Sequence, residues 1–216
     1  MKSRWVGVGL IAGMLVFLAW AWPQLPERVA VHWNVAFQAD SWRPRGHLLL
    51  LPGLALGIWA GMPLLRRIDP RRADYARWDA TFWLVVNLIV LFMAVLHVAL
   101  IGFNLGWPLD MHTVILSVVG LVFVGLGNYM PRVRRNWWVG FRTPWTLSSE
   151  RVWRQTHRLG GRVLVLGGLM FVVGAFVPRP AAPWVALPGV LLIVLVPTVY
   201  SYILWRREDV HGQNDV

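Results

Sequence analysis

The chain has 216 residues, 57% of them hydrophobic and only 14% charged, with a mean hydropathy of +0.54 and a formal net charge of +11. Soluble domains average about 45–50% apolar and about 25% charged, so both departures point to a membrane protein and exclude disordered, collagen-like and disulfide-scaffold chains. With no cysteine there is no disulfide framework, thiolate nucleophile or cysteine metal site. About 20 apolar residues are needed to cross about 30 Å of hydrocarbon. Six segments meet that need: 5–24, 47–65, 80–103, 112–130, 159–177 and 184–205. The expected fold is therefore an all-α polytopic membrane protein with six transmembrane helices, arranged as three-helix halves over 1–110 and 111–216. The first segment follows Lys2 and Arg4 but is long for a signal peptide and lacks a small-residue cleavage site, so it reads as a retained helix ended by Pro23 and Pro26.

Arginines set the orientation. Arg66, Arg67, Arg71, Arg72 and Arg77 follow helix two, and Arg132, Arg134, Arg135, Arg142, Arg151, Arg154 and Arg158 follow helix four. The 104–111 turn has no basic residue, and the 178–183 turn has only Arg179. Both termini are thus expected in the cytoplasm, with the chain multi-pass in the membrane, loop 25–46 outside and loop 131–158 inside. The basic clusters between apolar runs, with 15 tryptophans, fit anionic lipid at an interface rather than direct nucleic-acid binding. The polar tail from Glu208 to Val216 is expected to fray.

Gly53, Gly57 and Gly61 make two GxxxG spacings on helix two, read as a face for internal helix packing in preference to homodimerisation. Gly160, Gly161, Gly167, Gly168 and Gly174 form a similar seam on helix five. Asn87 and His97 lie on helix three and Asn128 near the inner end of helix four, and no carboxylate lies at mid-depth in any span, which counts against an ion-coupled transporter. His32, His47 and His112, with Asp40 and Asp110, would fall near the outer face, but they sit on separate segments and match no zinc spacing; no metal and no cofactor are expected. No HExxH, GxSxG, P-loop or GxGxxG motif is present, and the sequence offers no positive case for an enzyme.

The inner loop is patterned. Pro131 stops helix four, and Trp137, Trp138, Phe141 and Trp145 can sit at headgroup depth. Ser148 is expected to cap a short amphipathic helix running to Arg158, with Ser149 and Glu150 in its first turn. Arg151, Arg154 and Arg158 would line one face, leaving Glu150, Trp153 and His157 to pack beneath the bundle.

Gly127-Asn128-Tyr129-Met130-Pro131 followed by Asn136, Gly140, Arg142, Thr143, Pro144, Trp145, Ser149, Glu150, Trp153, His157 and Gly161 closely resembles the signature of the Sdp immunity (SdpI-like) membrane proteins. In the outer loop, Leu25-Pro26-Glu27-Arg28-Val29, Val31-His32-Trp33-Asn34 and Asp40-Ser41-Trp42 resemble the N-terminal module that often precedes that region. Phe37 stands where glycine is usual, and Arg43-Pro44-Arg45 replaces a glycine–lysine ending. The resemblance implies a six-helix bacterial membrane protein that protects its cell against a secreted membrane-active peptide toxin and holds a cytoplasmic transcriptional repressor at the membrane. On that reading His32, Trp33, Asn34, Asp40 and Trp42 meet the peptide, and the inner signature carries the signal or holds the fold. The alternatives are a small-molecule or ion permease lined by Asn87, His97 and Asn128, and a membrane enzyme using Glu150 and His157 as acid and base.

Overall fold

The computed structural model describes residues 4–212; Lys2 and residues 213–216 of the tail lie outside them. The element order is α1 (Arg4–Ala21), β1 (Arg28–Trp33), β2 (Ala39–Pro44), α2 (Leu50–Ile68), α3 (Asp79–Asn104), α4 (Met111–Tyr129), α5 (Pro144–Ser148), α6 (Glu150–Gly174) and α7 (Ala182–Gly212). Six of these helices are long and apolar enough to cross a membrane, and the chain is a multi-pass membrane protein. α1, α2 and α3 pack on one another, α6 packs between α4 and α7, and α3 meets α4.

Three elements differ from the sequence expectations. Loop 25–46 contains an antiparallel hairpin, with Arg28 opposite Pro44 and Trp33 opposite Ala39, so the molecule is not helical throughout. The helix expected to end at Arg158 and the span expected from 159 are a single 25-residue helix, α6. Its cap is Ser149, whose hydroxyl accepts from the Val152 N–H; Ser148 instead ends α5. No residue between 150 and 174 breaks α6, because its glycines are isolated or paired and there is no proline. At the other end of the chain, α7 continues through Glu208 to Gly212, where fraying was expected.

The glycines divide sharply. A Cβ on Gly120 would meet the Gly168 carbonyl oxygen at 2.5 Å, and one on Gly127 would meet that of Gly161 at 2.6 Å. These two facing pairs let the α4 and α6 backbones touch, as small residues do between membrane helices. Gly53, Gly57 and Gly61 do the opposite. Nothing lies within 4 Å of a Cβ on any of them, so the expected internal packing of that face is not found. α2 instead buries Ala55 against α1 and α3, on the other side of the helix.

Candidate functional site

The two patterned loops lie at opposite ends of the bundle, because one joins α1 to α2 and the other joins α4 to α6. The signature loop is held by buried polar groups. Asn136 is fully buried; its Oδ1 accepts from the Trp138 and Val139 N–H groups at 2.8 and 2.7 Å. Its Nδ2 donates to the Arg134 and Val139 carbonyls at 2.8 and 2.9 Å. One side chain thus satisfies a tight turn that no regular element supports.

Asp69, at the end of α2, is 1% exposed and accepts from the Tyr75 hydroxyl at 2.8 Å, the Arg71 N–H at 2.8 Å and the Trp137 N–H at 3.0 Å. It ties the signature loop to the N-terminal helices. Burial, and then the Asp69 carboxylate, push the Tyr75 hydroxyl above its ordinary range, which keeps it a donor. Sequence reasoning passed over Asp69. Its signal was a single carboxylate before Pro70 in a run of arginines.

His157 is stacked on Trp153 at 4.0 Å, and both are buried. His157 Nδ1 lies 2.9 Å from the Trp153 carbonyl, and Nε2 accepts the Phe141 N–H at 3.1 Å. That pattern requires the neutral ring with its proton on Nδ1. Trp153 donates from Nε1 to the Val133 carbonyl at 2.9 Å. Gly140 has φ +114°, and a side chain there would collide with His157. Thr143 caps α5 with a capping box and meets the Ser201 hydroxyl on α7 at 3.0 Å; Pro144 is the first residue of α5. Trp145 packs against Tyr202, Tyr129 lies under Arg132, and Pro131 and Gly161 sit at the α4–α6 contact. Asn128 is exposed and bonds the Val124 carbonyl. Arg142 is exposed and gives one hydrogen bond, to the Trp137 carbonyl at 2.7 Å. Glu150 is half-exposed beside Arg135 and Arg154, so it does not pack beneath the bundle with Trp153 and His157.

At the other end, the hairpin roofs a cleft of about 510 Å³ lined by Trp33, Phe37, Phe103, Trp107, Asp110 and Arg179, among others. The free edge of β1 is closed by Asn104: its Oδ1 accepts the Ala30 N–H at 2.8 Å and its Nδ2 donates to the Ala30 carbonyl at 3.1 Å. The Asn34 side chain is consumed by the turn, accepting from the Ala36 and Gln38 N–H groups. Phe37 takes φ +57°, the left-handed conformation that glycine favours, so the turn survives the substitution at a cost of about 1–2 kcal/mol. Its ring packs edge-on to His112 at 4.6 Å, bridging the N-terminal hairpin to α4.

Of the five outer-loop residues singled out, only Trp33 lines this cleft; it meets Phe103 edge-on at 5.1 Å. His32 and Asp40 pair with each other at 2.6 Å, and Trp42 is exposed. The cleft's polar pair, Arg179 and Asp110 at 2.8 Å, was missed because the partners come from two different turns. Burial tends to raise the Asp110 carboxyl, but hydrogen bonds from Thr113 and Arg179 outweigh it and hold the group below the usual carboxylate range.

Other candidate groupings are dispersed. His97 is buried beside Met14 of α1, Asn87 lies near Gly7, and Asn128 is at the end of α4. Among the described residues no three histidines, aspartates or glutamates converge as metal ligands. Glu150 and His157 are each engaged elsewhere.

Comparison with known proteins agrees with the resemblance seen in both loops. Residues 132–201 match the SdpI/YfhL protein family, and residues 9–56 match a domain of unknown function, DUF1648. The chain is 28% identical over 183 residues to "Immunity protein SdpI" of Bacillus subtilis (strain 168), covering 85% of this chain and 86% of the relative. No solved structure matches it.

Proposed function

We propose that this chain, a membrane protein of the SdpI/YfhL family, is a non-enzymatic immunity protein of the bacterial cytoplasmic membrane that binds a secreted membrane-active peptide in the hairpin-roofed cleft. The observation that carries this reading is the cleft itself. It combines aromatic faces, Trp33, Phe37, Phe103 and Trp107, with one polar pair, Asp110 and Arg179, and its walls come from both trios of helices. Such a surface suits an amphipathic peptide arriving from outside. The arginine-rich loops favour a cytoplasmic position for the opposite end, and so for both termini.

A peptide in the cleft would touch both the hairpin and the α3–α4 turn. The hairpin also reaches α4 through Phe37 and His112, and the two trios meet again at the far end through Asp69 and Trp137. Signalling to a cytoplasmic repressor would run between these two junctions, with occupancy biasing their arrangement. A permease reading gains nothing from the geometry, since Asn87, His97 and Asn128 lie apart.

The test is survival of sensitive cells expressing the chain and challenged with a panel of purified secreted bacterial peptides. Protection against at least one is expected, lost in Trp33→Ala with Arg179→Gln at matched membrane abundance. Protection against none would contradict the reading.

A further inference from the structure

On α6, Arg154, Arg158 and Arg162 follow at intervals of four and stack on one face of the helix. Arg154 lies beside Glu150, and Arg151 beside Glu208. Arg158 and Arg162 are exposed, and among the described residues neither has a carboxylate or hydrogen-bond partner. Arg162 also stands inside the apolar helix that crosses the membrane. Its neighbour Gly161 faces Gly127, two residues before α4 ends, which sets Arg162 within about one 5.4 Å turn of the bundle rim. Two adjacent cations at that depth repel each other and lack the partner that intramembrane charges ordinarily have.

Both arginines line two grooves at once. One, of about 210 Å³, runs between α4 and α6 past Pro131, Gly161 and Val165. The other, of about 250 Å³, runs between α6 and α7 past Gln155, Leu159 and Tyr200. A guanidinium pair at the rim, flanked by the Pro131, Gly161 and Val165 wall on one side and by Leu159 and the Tyr200 ring on the other, matches a phosphate attached to hydrocarbon chains. We propose that Arg158 and Arg162 hold the phosphate of one anionic phospholipid, whose acyl chains lie in these flanking grooves. The bound anion removes the repulsion between the two arginines, and the lipid fills the seams that α6 leaves against α4 and α7. This site is at the opposite end of the bundle from the peptide cleft and stands independently of it.

Native mass spectrometry of the purified full chain in neutral detergent tests the site with dioleoyl-phosphatidylglycerol and dioleoyl-phosphatidylcholine as probes. One phosphatidylglycerol should be retained, with a preference of at least about tenfold over phosphatidylcholine for two arginines acting together. Arg158→Gln or Arg162→Gln should each cut that preference about fivefold, and Arg77→Gln, on the same arginine-rich end, should leave it unchanged. Excess inorganic phosphate should not displace the lipid, because it brings no acyl chain to the grooves. Equal retention of both lipids by the unmodified chain would overturn the proposal, as would undiminished preference in both glutamine variants. Displacement of the lipid by that excess of inorganic phosphate would assign the arginines to a free anion and overturn the lipid site. The comparison of headgroups on the unmodified chain decides the matter even where a variant fails to fold.

Discussion

The signature loop and the hairpin are both rich in tryptophan and polar residues, but they use them in opposite ways. In the signature loop the polar groups face inward. Asn136 makes four hydrogen bonds within its own turn, Asp69 accepts three, and both nitrogens of His157 are engaged. In the hairpin the turn consumes Asn34, but Trp33 and Phe37 remain at a cleft with an accessible ion pair at its floor. A motif's density of polar residues therefore does not say whether it recognises a ligand. What matters is whether those residues have spent their hydrogen bonds on the backbone.

That contrast is most sharply tested at Asn136. Asn136→Ala strips partners from buried amides and carbonyls, and each unsatisfied group costs about 1–3 kcal/mol. The expected outcome is loss of folded protein, or a large fall in the melting temperature followed by tryptophan fluorescence in detergent. Near-normal melting would mean that the turn does not depend on this side chain.

Gly140→Ala comes next. It forces a side chain into a left-handed backbone position and against the His157 ring, so a loss of about 1–3 kcal/mol is expected. The same melting assay checks it, and a double variant with His157→Ala should recover the part of the loss that comes from collision.

Phe37→Gly lies on the other side of the comparison. Glycine relieves the left-handed conformation but gives up the contact with His112, so the two effects offset within about 1 kcal/mol. Stability should barely move while protection falls. A large drop in melting temperature would place Phe37 with the structural residues.

Arg142→Lys is expected to be mild. The side chain is exposed and donates one bond, to the Trp137 carbonyl, which an ammonium can imitate. A change within about 0.5 kcal/mol in melting, with full protection, is the expected result.

The smallest effect concerns pH. The Asp110 carboxyl is depressed in the folded protein, so its ionised form contributes stability above the ordinary carboxylate value near about 3.9. That contribution fades as pH falls from there through the lower folded value. Asp110→Asn should remove this slope from the acid side of a stability–pH profile and lower neutral stability by the same small amount, under about 1 kcal/mol, since the pair with Arg179 is half-exposed.

Much of the architecture could be read from the residues alone. Six apolar runs of membrane length became six helices, because a span must satisfy its own backbone and hydropathy reports that need directly. The glycine seam of α6 was legible for the same kind of reason. The glycines of α2 were not, because spacing shows that a face is flat but not which neighbour covers it. The boundary inside α6 was misjudged because Arg151, Arg154 and Arg158 look like the end of an amphipathic helix, although nothing there stops the backbone. In the loops, residue type revealed which segments mattered but not their direction of use. Asn34 looks available in sequence and is occupied in space. Asp69 looks incidental and holds two trios together through Trp137. Arg179 and Asp110 are separated by 69 positions, and no local pattern announces their pairing.

The central claim, that recognition belongs to the hairpin cleft and the signature loop is its scaffold, is tested most directly by one comparison of survival. Cells carrying Trp33→Ala with Arg179→Gln are set against cells carrying Arg142→Lys, at matched membrane abundance and with melting temperatures measured on the purified proteins. The cleft variant is expected to lose at least about tenfold in protection, equivalent to about 1.4 kcal/mol of binding, without a large change in melting, and Arg142→Lys is expected to protect as well as the unmodified chain. Full protection by the cleft variant together with lost protection by Arg142→Lys would contradict it.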